Sequence, residues 1–266
     1  MSKLRIIGEI LNSSNVSARA IYEKRDTEAL LDSAKRQLEA GAFALDINAS
    51  MLLEDERETL LWAARAIREK LDAIVSLDSP DAVLLLDLAP EFGKQAILNS
   101  FTADQDKIEA ALTVMAETGA SAVVMLKDKK GLPETAMLRL ELASRISALA
   151  SASGVPHERI FLDPILTPVA TTPGGLEITL DTIEALKRNF PNFPSIGGVS
   201  NVSFGLPKRR LVNSTFLAMA LSRGLDAAIC DPTDEKIIAV LAAANAIDGT
   251  DPGCRRFLKF HRDTTS

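Results

Sequence analysis

The sequence predicts an α/β fold in which eight parallel strands close into a TIM-type (β/α)8 barrel. Short apolar strand patterns alternate eight times with amphipathic helix patterns, without a linker or a low-complexity break between them. The strand patterns are apolar throughout, as expected for parallel strands that are buried on both faces. A length of 266 residues suits one such barrel, so we expect a single domain over residues 1–266, with the barrel at about 4–247 and a peripheral tail at 248–266.

A doubly wound open sheet would produce the same alternation of strands and helices. That alternative is weakened because no glycine-rich phosphate-binding fingerprint follows the first strand. The count of eight strand–helix units within this length favours the closed barrel.

Each predicted strand is a short apolar run, and most end at an Asp or Asn residue. The first ends at Glu9 and Asn12, and the polar stretch after it, residues 13–25, predicts a loop. The eight predicted strands are residues 4–10, 43–47, 73–77, 94–98, 120–126, 159–162, 194–199 and 225–230.

The predicted helices carry recognisable start and stop signals. Asp26 is placed to cap the first helix and Gly41 to end it, Pro80 opens the third, and Gly119 ends the fourth. The others are predicted at residues 54–70, 133–151, 176–189, 210–223 and 234–246.

Composition excludes several classes of function. The formal net charge is −6 with both signs interspersed, so no nucleic acid or anionic membrane is expected as a partner. No apolar run reaches the roughly 18 residues of a membrane span, and the sequence start lacks a signal-peptide pattern. Cys230 and Cys254 are far apart, which predicts a reduced, cytoplasmic protein without a disulfide framework.

The two histidines, His157 and His261, lie in a turn-like segment and in the tail, so a Ser-His-Asp hydrolase or a His-ligated metal site is not expected. We therefore predict that the chain binds no metal.

Polar residues at the strand ends are the candidate functional residues, because the carboxyl ends of barrel strands meet at one mouth. Carboxylates and amides, without a cluster of Arg or Lys, suit a neutral heterocycle with paired N–H donors and a carbonyl, such as the 2-amino-4-oxo edge of a pterin. Each residue could instead cap a helix or close an Asx turn, and Asp231 is the one for which this structural role is favoured. The candidates are Glu9, Asn12, Asp46, Asn48, Asp78, Asn99, Asp163, Asn201 and Asp231.

The seventh strand ends in an unusual way. Gly197 and Gly198 leave no side chain there, so another group can approach the backbone closely. Ser200 and Asn201 follow at once, and Asn201 brings both a donor and an acceptor to the mouth.

Several segments resemble the methyltetrahydrofolate:corrinoid-protein methyltransferases, relatives of the folate-binding domain of cobalamin-dependent methionine synthase. The resemblance covers residues 4–247 and is most specific at 198–231. It rests on Leu77-Asp-Ser, Ile97-Leu-Asn-Ser, Leu162-Asp-Pro, Gly198-Val-Ser-Asn-Val-Ser-Phe-Gly-Leu-Pro and Phe216-Leu-Ala-Met-Ala followed by Gly224-Leu-Asp-Ala-Ala-Ile.

The resemblance implies a pterin-binding barrel of the dihydropteroate synthase type. It also implies that this chain forms a homodimer and exchanges a methyl group, in either direction, between nitrogen-5 of tetrahydrofolate and cobalt. The cobalamin would be carried by a separate corrinoid protein. The resemblance makes Asp78, Asn99 and Asp163 the pterin-binding residues and places the Asn201 amide beside nitrogen-5. Supporting roles are implied for Glu9, Asn12, Asp46, Asn48, Gly198 and Ser200, although the arginine of the family's Gly-Glu-Arg-Ile-Asn opening is missing here.

Other folate or pterin proteins fit less well. Dihydropteroate synthases carry a lysine after the seventh strand and Arg-x-His at the eighth, where this chain has Val199-Ser-Asn201 and Ala228-Ile-Cys-Asp231. A non-catalytic folate-binding module would leave a polar group beside nitrogen-5 unexplained. A complete methionine synthase would need a zinc-thiolate domain and an Asp-x-His-x-x-Gly cobalamin signature, which this sequence lacks.

Overall fold

The computed structural model describes residues 4–263. Residues 1–3 and 264–266, which the sequence assigns to the start and the tail of the domain, lie outside the described residues. Eight parallel strands form one sheet in the order β6-β5-β4-β3-β2-β1-β8-β7. The strands are β1 Arg5–Gly8, β2 Ala44–Asn48, β3 Val75–Asp78, β4 Ala96–Thr102, β5 Ser121–Met125, β6 Ile160–Asp163, β7 Ile196–Gly198 and β8 Ala227–Cys230.

The sheet closes where its two edge strands meet. Leu162 of β6 forms a parallel bridge with Ser195, just before β7. The Leu162 amide donates to the Pro194 carbonyl at 2.8 Å. The predicted parallel barrel is therefore confirmed.

Helices surround the barrel and alternate with the strands. The helices are α1 Val16–Lys24, α2 Thr27–Glu39, α3 Glu56–Leu71, α4 Ala82–Phe92, α5 Gln105–Thr118, α6 Ala136–Ala152, α7 Gly175–Asn189, α8 Arg209–Ser222, α9 Glu235–Ile247 and α10 Arg255–Asp263. Asp26 caps α2, as predicted, because its carboxylate accepts the Ala29 amide at 3.0 Å. Within residues 4–263, none of the helices combines the length and the apolar character that crossing a bilayer requires.

The core has two layers. A small cluster inside the barrel includes Ile7, Ile97, Val123 and Phe161, whereas the larger clusters fill the space between strands and helices. The Arg5 guanidinium lies 4.6 Å from the Phe161 ring centroid and covers the amino end of the interior. The polar strand ends lie at the opposite, carboxyl end.

The prediction of a loop at residues 13–25 is wrong, because α1 occupies most of that stretch. Ala18 and Tyr22, one helical turn apart, are buried. The Tyr22 hydroxyl donates to the Leu11 carbonyl at 2.6 Å. The apolar stripe of α1 is too narrow to stand out in a polar segment, so tertiary packing decides its structure.

Three smaller differences concern element ends. Asp81, not Pro80, begins α4, because its carboxylate accepts the Val83 and Leu84 amides. β4 continues past its predicted end at Leu98 to Thr102, with a shift in its register against β5 between Asn99 and Phe101. The tail forms α10, which packs against α9.

Candidate functional site

Three of the candidate residues lie side by side at the mouth because adjacent strands pair in register, and a fourth, Asp46, lies beneath them. Asn48 of β2 pairs with Asp78 of β3, and Asp78 pairs with Asn99 of β4. Asp46 lies two residues before Asn48 on β2 and is paired with Ser76 of β3. Its side chain therefore points to the same face of the sheet as that of Asn48, one layer deeper in the barrel.

Hydrogen bonds connect these side chains in pairs. The Asn48 Nδ2 donates to Asp78 Oδ2 at 2.9 Å. Asp46 Oδ1 accepts from the Ser76 hydroxyl at 2.6 Å and from Asn99 Nδ2 at 3.1 Å. Asp46 thus fixes the Asn99 amide from below and leaves its carbonyl oxygen for a ligand.

The two carboxyl groups hold protons more tightly than ordinary aspartates. Burial raises the pKa of Asp46 well above its usual value, and the nearby Asp78 raises it further. Burial also raises the pKa of Asp78, while the hydrogen bond from Asn48 opposes that shift. A ligand that brings N–H donors to Asp78 favours its ionised form.

Asn48 is held rigidly by the loops around it. Its Oδ1 accepts the hydroxyls of Ser13 at 3.2 Å and Ser50 at 2.8 Å. Asn12 bridges to Asn48 through the backbone, and its own Oδ1 accepts the Ser14 amide at 2.9 Å. Asn12 therefore shapes the turn after β1 and supports Asn48.

Asp163 ends β6 and lies beside Met125 of β5. Its Oδ1 accepts the Ile165 amide at 2.7 Å, which closes an Asx turn. Burial raises the pKa of Asp163 to about 6, opposed by this N–H and by the charges of Arg139 and Lys127. One carboxylate oxygen is used by the turn, and the other is available for a ligand.

Glu9 and Ser200 join the ends of β1 and β7. The Ser200 hydroxyl donates to Glu9 Oε1. Burial raises the pKa of Glu9 to about 7, so this carboxyl group titrates near neutrality. Arg209 donates to the Ser200 carbonyl at 2.8 Å and fixes the loop from the α8 side.

Asn201 ends the short 3-10 turn that follows β7. Its side chain is exposed, and its amide has no hydrogen-bond partner among the described residues. A Cβ on Gly198 would lie 3.0 Å from Asn201 Nδ2, and one on Gly197 would lie 2.5 Å from Leu166 Cδ1. Gly197 therefore leaves room for the Leu166 side chain in its present position, and Gly198 leaves room for the Asn201 amide.

A cleft of about 440 Å³ opens beside these residues, between the ends of β1, β7 and β8. Glu9, Ser200, Arg209 and Asn213 line it, together with Asp231. The residues that line this cleft do not include Asp78, Asn99 or Asp163, so the cleft lies to one side of those three strand ends.

The structure separates the candidates into groups. In the part of the chain that the structure describes, no side-chain hydrogen bond joins Asp163, Asn201 or the Glu9–Ser200 pair to the Asp46–Asp78 group. Asp231 accepts the Thr233 amide at 2.8 Å, an Asx turn as favoured from the sequence.

Two residues of the site were missed from the sequence. Ser76 is a polar residue within an apolar strand, a signal that could have identified it. Arg139 lies on α6 in a segment that gives no such signal. Across residues 4–263, no three His, Cys, Asp or Glu side chains are grouped to hold a metal ion.

The chain's family is shown by its sequence as well as by the barrel. The sequence profile of the family described as Pterin binding enzyme matches residues 8–231, and the chain belongs to this family.

Two relatives define the chain's place in the family. It is 30% identical to the methylcorrinoid:tetrahydrofolate methyltransferase of Eubacterium limosum over 97% of this chain and 96% of that protein. It is 28% identical to the methionine synthase of Mycobacterium tuberculosis over 84% of this chain, which corresponds to 20% of that protein.

Solved structures confirm the fold. The Yersinia pestis DHPS with a pterine-sulfa conjugate has a TM-score of 0.69 and 19% identity, and the match covers 94% of both chains. Another structure of dihydropteroate synthase from Yersinia pestis gives a TM-score of 0.66 at 19% identity, covering 93% of this chain and 94% of that one.

Proposed function

We propose that this chain is a methyltransferase that moves a methyl group between nitrogen-5 of tetrahydrofolate and the cobalt of a separate corrinoid protein. The observation that carries the proposal is the set of carboxylates and amides at adjacent strand ends, together with the Asn201 amide in the turn after β7, which has no side-chain hydrogen bond among the described residues. The 30% identity to a methylcorrinoid:tetrahydrofolate methyltransferase over nearly the whole of both chains supports it.

Each side chain has a chemical role in this proposal. Asp78 and Asp163 accept N–H bonds from the 2-amino-4-oxo edge of the pterin, and Asn99 completes the pairing. Asp46 and Asn48 orient Asn99 and Asp78 through the hydrogen bonds described above. These contacts fix the ring, so that nitrogen-5 faces the opening of the barrel.

The chain assists the reaction by positioning and by electrostatics. Cobalt(I) supplies the nucleophile from the partner, the nitrogen–methyl bond breaks and the cobalt–carbon bond forms. Nitrogen-5 is a poor leaving group unless it has taken up a proton from solvent, and that proton stays on nitrogen-5 of the tetrahydrofolate formed. The Asn201 oxygen accepts a hydrogen bond from the protonated nitrogen. The same contacts serve the reverse transfer, the direction in the name of the Eubacterium limosum relative.

Direct folate binding is the first test. We expect saturable, one-to-one binding of tetrahydrofolate or methyltetrahydrofolate in calorimetry with protein that has been treated with a chelator, because the pocket needs no metal. Folic acid, whose oxidised ring has an aromatic nitrogen at position 5 in place of a basic amine, provides a comparison ligand. Absence of binding at millimolar tetrahydrofolate would refute the proposal.

The rim of the mouth supports a protein partner. Large apolar side chains are exposed on the loops and helix starts that follow several strands, on a surface where charged groups are otherwise frequent. They are Val16, Met51, Val83, Met137, Val169 and Phe204. An apolar rim around the end of the barrel where the candidate folate-binding residues lie suits a protein that brings its corrinoid to the folate.

Phe204→Asp tests this docking, because Phe204 is 66% exposed in the loop after β7. We expect the rate of transfer with a corrinoid protein to fall by about tenfold or more, since a charge in an apolar contact is desolvated. The rate with free cob(I)alamin should fall much less. Met219→Asp on α8, at a residue 50% exposed and away from the mouth, is the matched control. Equal losses with both acceptors would contradict docking at the rim.

A homodimer and a cytoplasmic location are further parts of the proposal. Ile247 and Leu258, which are 87% and 52% exposed on α9 and α10, offer an apolar face for a second copy. Light scattering of the purified protein and of an Ile247→Asp variant tests the dimer.

A further inference from the structure

Arg139 is a buried arginine that the proposed reaction does not use. Its side chain is 2% exposed, although it is among the largest in the interior. Its guanidinium donates to the carbonyls of Pro164 at 2.5 Å and Pro133 at 3.2 Å, and to the Thr179 hydroxyl at 3.2 Å. Among the described residues it forms no ion pair, and burying an unpaired charge costs free energy that a purely structural role would not require.

The carbonyl that Arg139 holds immediately follows Asp163 in the chain. The next residue, Ile165, has a φ of 65°, which is strained for a β-branched side chain. Its amide donates to Asp163 Oδ1, so this strained backbone shapes the Asx turn. The Thr179 hydroxyl lies 3.0 Å from the Ile165 carbonyl and also 3.0 Å from the Gly175 carbonyl of its own helix, so its one hydrogen is shared between the two and Thr179 contacts the strained backbone from α7. We call these two side chains the Arg139–Thr179 clamp.

We infer that the Arg139–Thr179 clamp is a positioning device that holds the Pro164–Ile165 backbone so that the Asp163 carboxylate faces the folate. Arg139 does not touch the ligand in this arrangement and acts through Asp163. The inference rests on the proposed function, in which Asp163 is a folate contact.

The clamp also places a positive charge near Asp163. Arg139 and Lys127 are the charged groups that lower the pKa of Asp163, against the burial that raises it to about 6. Removing Arg139 raises the pKa of Asp163 further, because the opposing charge is lost. A smaller fraction of Asp163 is then ionised near neutrality, and the carboxylate that accepts the pterin N–H groups is depleted.

The first experiment measures tetrahydrofolate affinity of Arg139→Met from about pH 5 to pH 8. We expect a loss of about tenfold at neutral pH and a shift of the pH midpoint to higher pH. Arg139→Lys, which keeps the charge but loses part of the hydrogen bonding, should restore the midpoint more than the affinity. Arg159→Met is the control, because Arg159 also donates to buried carbonyls but on the Met115–Ala120 side of the barrel.

Thr179→Val tests the second half of the clamp without changing any charge. It should weaken affinity at all pH values and leave the midpoint unchanged. Thr182→Val is matched to it, since Thr182 is a buried threonine of the same helix whose hydroxyl, among the described residues, bonds only the Ile178 carbonyl, at 2.7 Å.

A double-mutant cycle separates positioning from general stability. If Arg139 acts through Asp163, Arg139→Met should change the affinity of an Asp163→Asn protein far less than that of the wild type. Equal losses in both backgrounds, or a loss of stability without a shifted midpoint, would overturn the inference.

A readout without folate keeps the inference testable if the proposed function fails. Carbon NMR of aspartate-labelled protein, with Asp163→Asn to assign the signal, follows the Asp163 carboxyl directly. Its midpoint should move to higher pH in Arg139→Met and stay unchanged in Arg159→Met. If wild-type protein fails to bind folate, the proposed function is wrong. An unmoved Asp163 midpoint refutes the clamp's effect on Asp163.

Discussion

Asn201→Ala is expected to lower the rate of methyl transfer by ~10²–10³ and to weaken folate binding far less. The Asn201 amide has no partner among the described residues and lies next to Gly198, where a larger residue would displace it. In the proposed function, its hydrogen bond to nitrogen-5 strengthens as that nitrogen gains positive charge, so we expect its contribution to belong mainly to the transition state.

Single-turnover transfer to free cob(I)alamin measures this effect without a partner protein. Asn189→Ala provides the control, since Asn189 is a surface amide at the far end of α7 that bonds only the Ala185 carbonyl. A variant that keeps its turnover and only loses folate affinity would show that Asn201 is a wall of the pocket, because uniform binding affects the Michaelis constant and spares turnover.

Asp163→Ala is expected to reduce folate affinity by about 100-fold, because charge-assisted hydrogen bonds contribute ~1.5–3 kcal/mol each. The substitution also removes the Asx turn to Ile165, so Asp163→Asn is needed beside it. Asparagine keeps an acceptor for the turn but loses the negative charge. A large affinity loss in both variants would assign the effect to the carboxylate.

Affinity and melting temperature should be measured on the same samples. Asp231→Ala is the matched control, because Asp231 forms the same kind of turn directly after β8, and β7 separates β8 from the β6 strand that ends at Asp163. It should lower stability by about 0.5–2 kcal/mol and spare affinity, as for a lost cap. With a pKa of about 6 for Asp163, wild-type affinity should fall as the pH drops below that value. Affinity that is unchanged in Asp163→Ala would show that the carboxylate serves the turn alone.

The barrel could be predicted from the sequence because eight apolar runs alternate with helix patterns, and parallel strands of this kind must be covered on both faces. The strand ends were predictable for the same reason: Asp78 and Asn99 follow apolar runs directly. The position of a residue along its strand determines at which end of the barrel it lies, so the set of residues at the mouth could be predicted from the sequence alone.

The hydrogen-bond partners could not be predicted in this way. Asp46 contacts Ser76 and Asn99 because of register between strands, which depends on the closed sheet. Arg139 reaches Asp163's turn from a helix 24 residues earlier, and no local pattern encodes such a contact. Helix α1 was missed for a related reason, since its buried face consists of few residues.

The raised pKa values of the carboxyl groups at the mouth lower the free energy of unfolding of the protein without a bound ligand. The folded chain holds protons on Glu9 and Asp46 that the unfolded chain releases more easily. For Glu9 the penalty grows as pH rises from the ordinary value of 4.5 to about 7 and persists above it. Neutral replacements at these positions are therefore expected to raise stability, and the same replacements would remove groups to which we assign a supporting role in folate binding. Selection for activity and selection for folding stability are therefore expected to favour different residues at this end of the barrel.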